Sequence, residues 1–160
     1  MSYINKTTSG ISLIEVMLAV SIVAAMVVAI GFSITTYVDA RARLLDDTKA
    51  LYLAEEGYEV LRAIRSNDWN DLDALTLDDY NYLDVSTTTA DIGTSLEVID
   101  GEFYRSFILR EVYRDSDDDV TSSTTPGATV DTEILEVTIY VAGPNGTTSL
   151  TGLLANIHAI

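Results

Sequence analysis

The chain has 160 residues, with 25 acidic against 9 basic side chains, a formal net charge of -16 and no cysteine. That length gives one domain and a modest core; the acidity argues against a grip on a phosphate backbone by this chain alone; and the missing cysteine removes disulfides, thiolate metal sites and a lipid-modified cysteine anchor. Mean hydropathy is nevertheless +0.21, so apolar and charged residues must be segregated along the chain.

The segregation is visible at once. Apart from Glu15, no charge occurs from Ile11 to Val38. The run "ISLIEVMLAVSIVAAMVVAIGFSI", Ile11–Ile34, extends about 36 Å as a helix at ~1.5 Å per residue, enough to cross a hydrocarbon core of about 30 Å. Ahead of it, the short polar stretch Met1–Gly10 carries Lys6, which with the amino terminus favours a cytoplasmic start and leaves the bulk of the chain outside. A secretory signal peptide is the first rival reading, since Ala24 and Ala25 suit a small-residue cleavage site. The run, however, exceeds the usual apolar region of about 7–15 residues and contains a carboxylate. A plain single-span anchor explains the length but leaves Glu15 merely snorkelling to the interface. A carboxylate in a membrane span is disfavoured by about 2.5–3.5 kcal/mol at mid-bilayer and less near the surface, so it marks a function or a partner.

Gly10 followed by "ISLIEVMLAVSIVAA" resembles the N-terminus of type IV pilins and pseudopilins: a short polar leader ending in glycine, then an apolar helix with a glutamate soon after the cut. The resemblance implies cleavage between Gly10 and Ile11 by a membrane aspartyl protease, the prepilin peptidase, and methylation of the new N-terminus on Ile11. Ile11 stands where the family most often has phenylalanine. A freed cationic amine on Ile11 of one subunit beside Glu15 of the next offsets the cost of burying both, and the resemblance implies this pairing during filament assembly. Its further implications are an inner-membrane, single-pass precursor with its head outside, and a mature form in an extracellular or periplasmic filament. The implied partners are other pilin subunits, the peptidase, and an inner-membrane assembly platform with its motor, with no direct contact to nucleic acid.

Beyond the span no proline interrupts the chain through Ser66, so one helix is expected to run from the membrane into the soluble part, with Gly31 as its flexible point. Many pilins carry a helix-interrupting proline near this position, whereas here Phe32 follows Gly31. After Val38 the pattern turns amphipathic. Leu44, Thr48, Leu51, Ala54, Tyr58, Leu61 and Ile64 recur at helical spacing, and Arg41, Arg43, Asp47, Glu55, Glu59 and Arg62 fall elsewhere on the wheel. The stripe Leu44, Leu51, Ala54, Tyr58, Leu61 and Ile64 is expected to pack on a sheet. "LYLAEEGYEVLRAIR", Leu51–Arg65, also resembles the corresponding helix of minor pilins and of minor pseudopilins in type II secretion.

"SNDWNDLDAL" ends the helix with turn formers and acids, and Trp69 is expected to dock on the head. Residues 67–98 read as an irregular connector with a short strand at Tyr80–Leu83. Asp100-Gly101 is a hairpin signal. After it Phe103, Phe107 and Leu109 fall on one side of a strand and Arg110 and Arg114 on the other. Leu135, Val137, Ile139 and Val141 alternate with Glu136, Thr138 and Tyr140, followed by the Gly-Pro-Asn-Gly turn and a strand from Leu150 to Ile157. The expected fold is α+β: a long N-terminal helix, membrane-spanning over 11–34 and amphipathic over 35–66, after a leader at 1–10, packed on a small antiparallel β-meander within 67–160.

Candidate chemistry is sparse. Asp115, Asp117 and Asp119 stand at the spacing of the first ligands of a calcium loop. Val120 occupies the position that needs glycine and Pro126 that of the bidentate glutamate, which excludes an EF-hand. A looser calcium site is weighed against a solvated hairpin tip, and no other cofactor is expected. His158 is the single histidine, and no phosphate-cradling glycine loop occurs, so the expectation is a structural subunit and not an enzyme. The functional alternative is an adhesin or ligand-binding head carried on a pilin stalk.

Overall fold

A computed structural model describes residues 12–85 and 90–157. Gly10 and Ile11, at the expected processing point, and His158 lie outside the described residues. The chain divides into two compact units, residues 1–42 and 43–160.

Within the first unit the described chain is helical from Leu13, the start of helix α1 (Leu13–Asn67). Its apolar window has a mean hydropathy of 2.7 and none of it is buried, and by length and composition it can cross a membrane. The hydroxyls along it follow the rule for apolar surroundings, donating back to their own helix: Ser21 to the Met17 carbonyl at 2.8 Å, Ser33 to Ala29 at 3.0 Å, and Thr35 and Thr36 to Phe32 at 2.9 Å each. No hydroxyl in that set asks for water.

The second unit holds the rest of α1, a one-turn helix α2 (Asn70–Asp73) and seven strands. These are β1 (Tyr82–Val85), β2 (Ala90–Gly93), β3 (Glu97–Ile99), β4 (Phe103–Arg114), β5 (Val120–Thr121), β6 (Thr129–Gly143) and β7 (Gly146–Ala155). The main sheet is antiparallel in the order β3-β4-β6-β7, with β5 also pairing β4, while β1 and β2 form a separate antiparallel pair. This helix on a small antiparallel sheet matches the α+β, pilin-type architecture.

The helix meets the sheet through Ala50, Ala54, Gly57, Leu61 and Ile64, alternately four and three residues apart and therefore on one face. Opposite them lie Phe103, Phe107 and Leu109 of β4, Leu135, Val137, Ile139 and Val141 of β6, and Leu154 of β7, all buried, with Trp69, Leu72 and Leu83 completing the core. Tyr58 is half-buried against this cluster. Two members of the expected stripe do not belong to it: Leu44 is 66% exposed and Leu51 42% exposed in the chain. In the first turns of the contact the face is made of small residues, Ala50, Ala54 and Gly57, and Leu61 and Ile64 of the expected stripe follow them. A Cβ at Gly57 would stand 3.1 Å from Arg105 Cδ and 3.5 Å from Ile139, and Leu51, one residue on from Ala50, is turned about 100° away.

Turn chemistry places the strands. Asp100 (φ 53°) and Gly101 (φ 74°) are both left-handed, the requirement of a type I′ hairpin, and they join β3 to β4. The β6–β7 hairpin turns at Pro144-Asn145, so β7 begins at Gly146, earlier than the expected Leu150 and ending at Ala155. The β4–β6 register shifts between Glu111, opposite Leu135, and Val112, opposite Asp131, so the extra residues bulge from β6, and the simple alternation expected to send Arg110 and Arg114 to one face is broken there.

The connector is more ordered than expected. The strand begins at Tyr82, not Tyr80, and pairs with β2. Residues before it and strands after it patch the free side of β4: β3 pairs Phe103–Arg105, Asn81 exchanges two backbone bonds with Phe107, Asp78 N–H donates to the Leu109 carbonyl at 2.8 Å, and β5 pairs Tyr113 and Arg114.

Tyr58 lies across Gly152 of β7 and donates its hydroxyl to the Leu153 carbonyl at 2.9 Å. A Cβ at Gly152 would fall 2.6 Å from the tyrosine ring. Gly152→Ala should therefore lower stability by about 1–3 kcal/mol. In a Tyr58→Ala background the same change should cost little, so denaturant unfolding of all four chains in detergent should give a strongly non-additive cycle.

Candidate functional site

Glu15 sits in the first turn of α1. The Glu15 and Val16 N–H groups donate to the Ser12 carbonyl at 3.0 and 3.2 Å. The unpaired N–H groups of a helix start favour a negative charge nearby, so the carboxylate is placed where the helix itself partly accommodates it. Around it Leu13, Ile14, Val16, Met17 and Leu18 are exposed, and no ion pair among the described residues involves Glu15. A lone carboxylate on a fully apolar surface can act as a register mark for a cation brought by another molecule.

The head contains an ionic group that the sequence reading missed. Arg105 of β4 points into the core and is 1% exposed. Its Nε donates to Glu97 Oε2 at 2.7 Å and its Nη2 to Glu97 Oε1 at 2.8 Å, a two-pronged pairing with β3. Its Nη1 reaches the helix, donating to the Leu53 carbonyl at 2.8 Å and to Glu56 Oε2 at 3.0 Å. One buried cation thus fastens β4 to β3 and to α1. The available signal was position: Arg105 falls between Phe103 and Phe107 on the inward alternation.

Beside this group lies a cavity of about 550 Å³ lined by Glu56, Asp84, the Gly93–Glu97 stretch, Asp100 and Arg105. It is bounded by polar groups, and the guanidinium on its wall is already engaged.

The Asp115–Asp119 turn is held by its own hydrogen bonds. Asp115 Oδ1 accepts the N–H of Asp117 at 2.9 Å and of Asp119 at 3.1 Å, so this carboxylate shapes the turn. Asp118 adopts a left-handed backbone (φ 67°). The structure does not bring Asp115, Asp117 and Asp119 together as a ligand set: among the described residues no group of three or more His, Cys, Asp or Glu is placed to hold a metal ion. At the base of this turn Arg114 donates to Asp131 and to the Asp118 carbonyl. The Arg114 hydrogen bond, aided by the Glu133 N–H, holds the Asp131 carboxyl below the usual carboxylate range.

Comparison with models of known families, with curated proteins and with solved structures gave no match.

Two outcomes follow for the head. Arg105→Ala should lose about 3–5 kcal/mol, since it strands Glu97 without its partner, whereas Arg105→Met combined with Glu97→Leu should recover most of that loss. Thermal and denaturant unfolding of the detergent-solubilised chain reads both. For Asp131, whose pKa falls on folding, the stabilisation is complete above the unfolded value of about 3.9 and disappears as pH drops through the lower folded value. Wild type should therefore exceed Asp131→Asn in Tm near about pH 6, and the difference should shrink as the pH is lowered through the folded value.

Proposed function

We propose that the chain is a structural subunit of a type IV pilus or a type II secretion-like filament, of the minor pilin or pseudopilin kind. Its precursor is cut between Gly10 and Ile11 and N-methylated by prepilin peptidase. The observation that carries the reading is a helix whose first part exposes apolar side chains on every side, from Leu13 to Val38, with one carboxylate in its opening turn. Such a surface is a membrane span before assembly and a packing surface after it. Its work is mechanical: the apolar half packs among sister subunits, Glu15 pairs with a neighbour's Ile11 amine, and the acidic head faces outward. Its partners are other pilin subunits, the peptidase, and the inner-membrane platform with its motor. The reading assigns no catalysis to the chain.

A pilin-stalked ligand-binding head is the second reading, favoured by the polar cavity beside Arg105. It expects the head to bind something other than a sister subunit.

Expression with a prepilin peptidase should give an intact mass corresponding to a chain starting at a methylated Ile11. Glu15→Gln should leave insertion and cleavage intact while reducing incorporation into sheared filaments at least about tenfold, the loss expected from about 1.4 kcal/mol or more of pairing. Retention of Met1–Gly10, or undiminished incorporation of the Gln variant, overturns the filament reading.

A further inference from the structure

The β6–β7 turn carries a feature that the proposed function does not draw on. Asn145-Gly146-Thr147 is an Asn-x-Thr triplet without proline in the middle, the acceptor pattern for N-linked glycans on chains facing away from the cytoplasm. Its placement suits that chemistry. Pro144, Asn145, Gly146 and Thr147 are all exposed at the tip of a hairpin. A Cβ built on Gly146 meets nothing within 4 Å. Next to the asparagine a cavity of about 430 Å³, lined by Arg43, Asp47, Pro144 and Asn145, leaves room for a first sugar ring.

The side-chain amide is oriented by the helix, through the carbonyl of Arg43 and the carboxylates of Asp46 and Asp47. Nδ2 lies 3.1 Å from the Arg43 carbonyl, and 3.4 Å from a carboxylate oxygen of each of Asp46 and Asp47. A primary amide has two N–H bonds. Replacing one hydrogen by a sugar leaves one N–H to serve one of these three acceptors, so the hairpin keeps part of its tie to α1 after modification.

We propose that Asn145 is an N-glycosylation acceptor, taking an oligosaccharide from a lipid-diphosphate carrier. The inference rests on the reading that the head lies outside the membrane. In the transfer, Nδ2 forms a bond to the anomeric carbon of the sugar. The bond from that carbon to the carrier's phosphate oxygen breaks, its electron pair leaving on the phosphate, and one amide proton passes to a base of the transferase. The products are a glycosyl-asparagine and a lipid diphosphate. A hydrated group is thereby added beside Asp46 and Asp47.

Mass spectrometry of the full chain from its own cells, and of the peptide containing Asn145, tests this. Wild type should carry a glycan-sized mass at Asn145, lost in Asn145→Gln and in Thr147→Val and kept in Thr147→Ser. Thr147→Val leaves every Asn145 contact in place, which separates loss of the acceptor pattern from misfolding. An unmodified Asn145 in wild type overturns the proposal. So does a peptide showing only the small mass gain of spontaneous deamidation, which depends on Asn145-Gly146 and not on Thr147, or a modification that survives in Thr147→Val. The same spectra report the N-terminus. A glycan on a chain still carrying Met1–Gly10 upholds the acceptor and sinks the filament reading; a chain cut before Ile11 and bare at Asn145 overturns the acceptor alone.

Discussion

From Leu13 to Val38 the helix offers its surroundings apolar side chains on every side, and the described chain contains nothing that covers them. Burying each such side chain is worth about 1.5–3 kcal/mol, and leaving the whole set in water is untenable. Everything else about the molecule accommodates this constraint. Hydroxyls in the run close on their own backbone, and the acids are placed beyond it, apart from Glu15 in the opening turn. A surface of this kind suits lipid tails, and under the proposed function it would equally suit the same surface of another copy.

The head solves a different problem. With a modest core, it uses small residues on the helix to bring the sheet close, then inserts one long cation where the helix and two strands converge. Arg105 has four hydrogen bonds to three partners on α1 and β3. A buried ion pair of this kind contributes less to net stability than its contacts suggest, because desolvating the ions opposes their attraction. Its effect is selective: a slip of β3 against β4 by one residue would put Glu97 on the wrong face and leave the guanidinium unpaired.

Much of this was legible in the residues. The alternation of Leu135, Val137, Ile139 and Val141, the Asp100-Gly101 turn and the unbroken run to Ser66 each have a local physical cause, and each appears as read. Large apolar residues misled where small ones made the contact: Leu44 and Leu51 looked like core and are exposed, because Ala50, Ala54 and Gly57 let the sheet approach. Arg105 escaped because charge is normally read as surface, and its partners are 49 and 8 residues away in sequence. The connector escaped for a related reason. Its order comes from hydrogen bonds to β4, a non-local debt that no window of sequence displays. Of the candidate residues, Glu15 lies in the opening turn of the helix, as its place at the head of the apolar run implied, whereas Asp115, Asp117 and Asp119 matched a ligand spacing and instead shape a turn.

The patching of β4 by β3, Asn81, Asp78 and β5 bears on which edges of the head stay open to another sheet. An unguarded strand invites fusion of one sheet with the next, most of all where copies of a chain are held at high local concentration. Here the long central strand is occupied on both flanks, and on β7 the Tyr58 hydroxyl takes up the Leu153 carbonyl. The long strand β4 is thereby closed to a second sheet, and the outer flank of β7, with one carbonyl taken up by the helix, is left as the long edge of the head.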